Sequence, residues 1–152
     1  MPTFELNIFI ECTRNKIYDH LSKPINMIGL QPRLTEMNIL DEKMQADGVL
    51  QRSFQTVETF RWLGLPVFRN QSLSVIRLTK PKDELELHVY GIPNIETIFK
   101  YSLRELNDKR TQITQTMQFV KVNKLFENFV VRLASQAQRA LLSNLKVRLE
   151  KK

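Results

Sequence analysis

Residues 123–152 read NKLFENFVVRLASQAQRALLSNLKVRLEKK, a stretch with no Gly and no Pro. Asn123 is a good N-cap, because its side-chain oxygen can accept from an amide left unpaired in a first helical turn. The stretch therefore predicts one long helix. At about 100° per residue, Phe126, Phe129, Val130, Leu133, Ala137, Ala140 and Leu141 fall on one broad arc, with Lys121, Lys124, Arg132, Arg139 and Lys146 roughly opposite. Such an arc needs a second layer to cover it, and the preceding residues must supply that layer.

They read as sheet. Phe4, Leu6, Ile8 and Ile10 alternate with Glu5, Asn7, Phe9 and Glu11, the period of a strand with one face buried. Thr13 or Asn15 can cap a short helix through residues 16–21, and Pro24 suits the first turn of a second one that Pro32 ends. From Arg33 to Val122, turn signals recur at Asp47-Gly48, Gly64-Leu65-Pro66, Pro81-Lys82-Asp83, Gly91-Ile92-Pro93-Asn94 and Asn107-Asp108-Lys109. They delimit about six strands with connections short enough for an antiparallel meander. Alternation puts Leu50, Phe54, Phe60 and Trp62 on one face, likewise Ile95, Phe99, Tyr101 and Leu103, and likewise Ile113, Met117 and Phe119. The expected fold is α+β, a helix-grip: a curved antiparallel sheet of six or seven strands around a long C-terminal helix, with two short helices between strands one and two.

At 152 residues the chain suits one domain, here 1–152, and nothing in it reads as a linker, repeat or disordered tail. Cys12 is the only cysteine, which excludes an intramolecular disulfide and fits a reducing compartment. The N-terminus lacks a basic region before its apolar run, so no signal peptide is expected, and no window reaches the roughly 20 apolar residues that span a bilayer. A soluble, cytoplasmic protein is the expectation. The net charge of +7 is unevenly placed. Residues 1–120 carry 15 Lys/Arg against 14 Asp/Glu, whereas residues 121–152 carry 8 against 2. With no nucleic-acid motif beside that charge, no nucleic acid is expected as partner. The basic helix stripe is either a solvated face or a surface for peripheral contact with an anionic membrane.

The element order, the segment Ile17-Tyr18-Asp19-His20-Leu21-Ser22-Lys23-Pro24-Ile25-Asn26, Gly48-Val49 opening the third strand, and the Phe-rich final helix together resemble the START-like (SRPBCC, Bet v 1-like) superfamily. The resemblance spans essentially the whole chain and is strongest to the bacterial polyketide cyclase/dehydrase and lipid-transport branch. It implies a deep apolar pocket between sheet and final helix for a lipid, quinone, polyketide or similar ligand. Members range from carriers to cyclases, and no catalytic signature accompanies the match.

The candidate ligand-binding residues follow from alternation. Phe54, Phe60, Phe99, Tyr101, Phe126, Phe129 and Leu133 would wall the cavity, with Leu30 near its mouth. Arg52, Thr56 and Glu58 share the face of Phe54, so they are either polar groups that orient a ligand inside an apolar cavity or side chains carried to a wet edge by a bulge. Tyr101 is either a ligand-facing hydrogen-bond donor or a core tyrosine bonded to a backbone carbonyl. His88 and Tyr90 should face solvent, opposite Leu85, Leu87 and Val89, and His20 reads as a surface histidine. No spacing among His20, His88 and Cys12 suits a metal, and no cofactor is expected. The reading is a binder or transporter of a hydrophobic small molecule rather than an enzyme. A polyketide cyclase or dehydratase, with Glu58 as proton-transfer group, is the alternative.

Overall fold

The computed structural model describes residues 3–31, 33–63, 65–91, 95–107 and 109–150, apart from the side chains of residues 60–62, 66–70 and 126. In chain order the elements are β1 (Thr3–Ile10), α1 (Arg14–Leu21), a 3-10 turn (Pro24–Met27), β2 (Leu34–Met44), β3 (Leu50–Trp62), β4 (Leu65–Lys80), β5 (Glu84–Gly91), β6 (Ile95–Asn107), β7 (Arg110–Lys121), a second 3-10 turn (Lys124–Phe126) and α2 (Glu127–Glu150). The expected helix-grip is what forms: one seven-stranded antiparallel sheet, in the order β1-β7-β6-β5-β4-β3-β2, curved around α2.

Local chemistry sets the ends. Thr13 caps α1, its Oγ1 accepting from Lys16 N at 3.3 Å, and Pro24 occupies the first turn of the short helix behind it. That second helix is a single 3-10 turn. Asn123 does cap a helical segment, accepting from Leu125 N at 2.9 Å, but the segment is a 3-10 turn, and α2 proper starts at Glu127. Gly48 adopts φ +84 in the β2–β3 hairpin, a left-handed conformation that favours glycine. Strands β3, β4, β6 and β7 run 12 to 16 residues. At about 3.3 Å per residue, strands of that length must coil to stay on one core.

Pairing registers arrange the concave face in four rows across the central strands. The first holds Thr56, Ser72, Gly91 and Ile95, and the second Phe54, Ser74, Val89 and Thr97. A third holds Arg52, Ile76, Leu87, Phe99 and Met117, and a fourth Leu85, Tyr101 and Gln115. The third and fourth rows are packed: Ile76, Leu85, Tyr101, Met117 and Gln115 have no exposed surface. Against them lie Ile10, Ile17 and Leu21 with the C-terminal half of α2, where Leu141, Leu142, Leu145 and Leu149 are buried. The first two rows carry Ser, Thr and Gly, and the opposite stretch of α2 carries Ala134 and Ala137. Small side chains facing small side chains leave space that the aromatic residues do not fill.

α2 points its C-terminus at the packed end, where Glu150 accepts from Glu11 N at 2.8 Å and Lys146 Nζ donates to Phe9 O at 2.7 Å. Arg148 ties the same end to the α1–β2 connection, donating from Nη1 to Asn26 O at 2.7 Å and from Nη2 to Ile28 O at 3.0 Å. No described helix is long and apolar enough to cross a membrane.

Candidate ligand cavity

The space between the first two rows and the N-terminal half of α2 is a cavity of about 660 Å³. Its deep part is apolar, made by Phe54, Leu87, Phe99, Leu141 and Ala137. Toward the open end the wall becomes Gly91, Ile95, Val122, Asn123, Phe129 and Val130, with Gln31, Arg33 and Glu58 across from them. Hydroxyls of Thr56, Ser72, Ser74 and Thr97 band the sheet side between these zones. Each of these four residues is under 10% exposed, so their polarity faces the cavity and not bulk water.

Of the residues expected to form the site, the structure brings together Phe54, Glu58, Phe99, Phe129 and Leu133, with Thr56 beside them. Three others stand elsewhere. Leu30, expected near the mouth, is packed into the core at 1% exposure, and its carbonyl accepts from Asn144 Nδ2 at 2.7 Å; its neighbours Met27, Gln31 and Leu34 line the cavity instead. Arg52 sits in the third row but turns away, donating to Ser22 O at 2.6 Å and Glu42 Oε1 at 2.8 Å. Tyr101 lies one row below the floor, fully buried, and donates its hydroxyl to Gln138 Oε1 at 2.8 Å. That partner is a side chain, where a backbone carbonyl was the competing expectation. The side chains of Phe60, Trp62 and Phe126 lie outside the described residues.

The electrostatics of the mouth centre on Glu58. Burial pushes its carboxyl above the ordinary value, and the guanidinium of Arg33 pulls the other way. A carboxylate without water is costly to charge, and a nearby cation recovers part of that cost. Burial likewise pushes the Tyr101 phenol well above its usual range, so it stays a neutral donor. Leu85, Leu87 and Val89 face inward as expected, and His88 sits on the other face, paired with Glu86 Oε1 at 3.0 Å. His20, expected at the surface, is half-buried, with Nε2 3.1 Å from Arg148 Nη1, and Asp19 pairs with Lys82. Among the described residues no three His, Cys, Asp or Glu side chains converge as metal ligands would.

Gln31, Arg33, Ser72, Ser74, Thr97 and Gln138 line the cavity and went unrecognised in the sequence. Gln138 carried a readable signal. Leu141, Leu142 and Leu145 lie three, four and seven residues beyond it, so helical spacing alone places this amide on the buried face.

No protein-family model and no curated protein matches the chain by sequence. Solved structures do match by shape. The Zhui aromatase/cyclase from Streptomyces sp. R1128 superposes with TM-score 0.78 at 13% identity, over 99% of this chain and 94% of that one. A START superfamily protein from Mycobacterium smegmatis gives 0.73 at 14% identity, over 98% and 97% of the two chains. The fold is START-like. The di-domain aromatase/cyclase StfQ of the steffimycin pathway matches with TM-score 0.75 at 12% identity, over 97% of this chain and 45% of its own. At such identities it is the fold that is shared, a curved antiparallel sheet gripping a long helix. The residues that line the cavity are this chain's own.

Proposed function

We propose that this protein, as one START-like domain over residues 1–152, encloses a hydrophobic small molecule (a lipid, quinone or polyketide-like compound) and acts as a carrier or sensor. The observation that carries the reading is the 660 Å³ cavity itself, with an apolar floor in a fold whose other half is tightly packed. An empty apolar cavity forfeits dispersion contacts, and ligand surface taken out of water gains roughly 25 cal/mol per Å² before the costs of association. Native mass spectrometry of the protein purified from its own host, with organic extraction, tests this directly. A stoichiometric, extractable apolar mass is expected; a ligand-free mass from gently handled protein, together with no uptake of added apolar probes, contradicts it.

Glu58 favours a second reading, a cyclase or dehydratase in which a carboxyl of raised affinity for protons works inside the cavity. Both Zhui and StfQ, whose folds match this one, are named aromatase/cyclases. Undiminished turnover of a poly-β-ketone substrate by Glu58→Gln would remove Glu58 from that role.

The mouth also bears on membranes. Registers place the end of β3 with the start of β4, the end of β5 with the start of β6, and the end of β7 at one end of the sheet. Leu63, Leu65 and Leu125, all more than 60% exposed, stand there with exposed Lys121 and Lys124. Leucines beside lysines suit loading and unloading at an anionic bilayer. The stripe farther along α2 is less available, since Lys146 is engaged by Phe9 O and Glu150.

A further inference from the structure

We propose that Gln138 is the polar anchor of the cavity, its Nε2 amide donating to a hydrogen-bond acceptor, a carbonyl or ether oxygen, at the buried end of an otherwise apolar ligand. The proposal rests on the ligand-binding reading above and deepens it. Gln138 is 3% exposed and lines the cavity floor. Its Oε1 accepts twice from the fourth row, from the Tyr101 hydroxyl at 2.8 Å and from Gln115 Nε2 at 2.6 Å. Two donors on one oxygen fix the amide plane, and the NH₂ group is left on the other side.

Among the described residues Nε2 has no protein partner, yet it is not among the buried polar atoms that are sealed off without one. The space it opens on is the cavity that Gln138 lines. Turning the amides over would not help. Gln138 Nε2 would then donate to Gln115 Oε1, but the Gln115 NH₂ group would take the sealed-off place that now holds a single acceptor, Gln115 Oε1. An orphaned acceptor is tolerated better than an orphaned donor pair, so the favoured orientation is the one that presents a donor to the cavity.

A donor-only group among Phe54, Leu87, Phe99 and Leu141 selects for oxygen acceptors and against ammonium groups, which it cannot bind. Phe129 at the mouth is nine residues earlier on α2, so the ligand body would extend roughly 13 Å from anchor to opening. The hydroxyls of Thr56, Ser74 and Thr97 face that path from the sheet.

The test is a matched pair of probes, 9-fluorenone and fluorene, which share a shape and differ in one carbonyl. Both are titrated calorimetrically into wild type and Gln138→Leu. The fluorenone-to-fluorene affinity ratio should fall about fivefold in the variant, the scale of one net hydrogen bond, and the carbonyl stretch of bound fluorenone should rise toward its value in hydrocarbon. Because Gln138→Leu strands Tyr101 and Gln115, the same titrations are run on Tyr101→Phe/Gln115→Leu/Gln138→Leu, which removes all three partners together. The same loss of ratio is expected there. If both probes bind every folded variant with an unchanged ratio, the anchor is overturned and the cavity reading survives. If neither probe binds wild type, the anchor falls together with the cavity reading.

Discussion

At the scale of single residues, the cavity's chemistry is decided by which polar groups have partners. Glu58 binds its proton more tightly in the folded chain than in the unfolded one, because burial outweighs Arg33. Between the ordinary carboxylate range and its raised folded value, the native state therefore holds more protons than the unfolded state, and stability falls as pH rises through that window. Glu58→Gln should raise the melting temperature at pH 7 relative to wild type, with the difference vanishing near pH 4, as thermal melts across that range would show. A variant less stable at pH 7 would mean that the Arg33 pairing dominates. Tyr101→Phe should cost about 0.5–1.5 kcal/mol in a denaturant titration, since it deletes one buried donor while Gln138 Oε1 keeps the bond from Gln115.

These residues were the least legible in the sequence, for reasons that differ. Alternation placed Phe54, Glu58 and Phe99 on the inner face because the period-two pattern is kept along β3 and β6. It also placed Arg52 and Tyr101 there, and both do stand on the concave-face rows; but a face is not a height. The row a residue occupies depends on cross-strand register, which decides whether it meets cavity or core. Ser72, Ser74 and Thr97 escaped because small hydroxyl residues read as neutral in an apolar–polar pattern, although here their smallness makes the room.

At the scale of elements, the α1–β2 connection is held on α2 by two side chains, Asn144 through Leu30 O and Arg148 through Asn26 O and Ile28 O. Arg148 can only donate, so the His20 Nε2 facing it at 3.1 Å must accept, which requires a neutral imidazole protonated on Nδ1. Burial, then the charges of Arg148, Lys23 and Lys16, hold the His20 pKa below its ordinary value. The unfolded chain thus takes up a proton first, and stability is lost as pH falls through about 6.5 and below. Relative to His20→Gln, which keeps an acceptor and loses the charge, wild type should lose melting temperature between pH 7.5 and 5.5, a comparison in which the opposing contribution of Glu58 is common to both proteins. Gly29 sits at φ +89 in the same connection, and a Cβ there would come 2.7 Å from Arg148 Nη2. Gly29→Ala should therefore destabilise by roughly 1–2 kcal/mol, combining left-handed strain with a contact on the guanidinium. The long helix and the meander were legible because hydrophobic period and turn residues are local signals. The split of the expected N-terminal turn of α2 into a 3-10 turn and a later start was not, since Asn123 caps either form.

At the scale of the whole molecule, one half is a packed core and the other a lined cavity, and the boundary falls where large side chains give way to Ser, Thr, Gly and Ala. The order of elements could be read from the sequence because a single amphipathic helix and seven strands have few ways to bury both faces. The cavity could not, because volume depends on which small residues oppose each other across two layers. Docking at the mouth makes a salt-dependent prediction. Association with vesicles containing phosphatidylserine should weaken as ionic strength rises and should fall in Leu125→Asp, as vesicle flotation would report. Binding that ignores both changes would place the contact elsewhere.

If the space between α2 and the first two rows takes an apolar ligand, obstructing that space must abolish binding. Ala137 lines it and faces the small residues of the sheet, so Ala137→Phe should lay a ring across its apolar floor, where a ligand would sit, without displacing packed neighbours. The most direct measurement is a fluorescence titration of wild type and Ala137→Phe with 1-N-phenylnaphthylamine, with a thermal melt of each protein. Saturable one-to-one binding by wild type and its loss in a variant of equal or higher melting temperature is the predicted result; equal binding by both folded proteins would contradict the account.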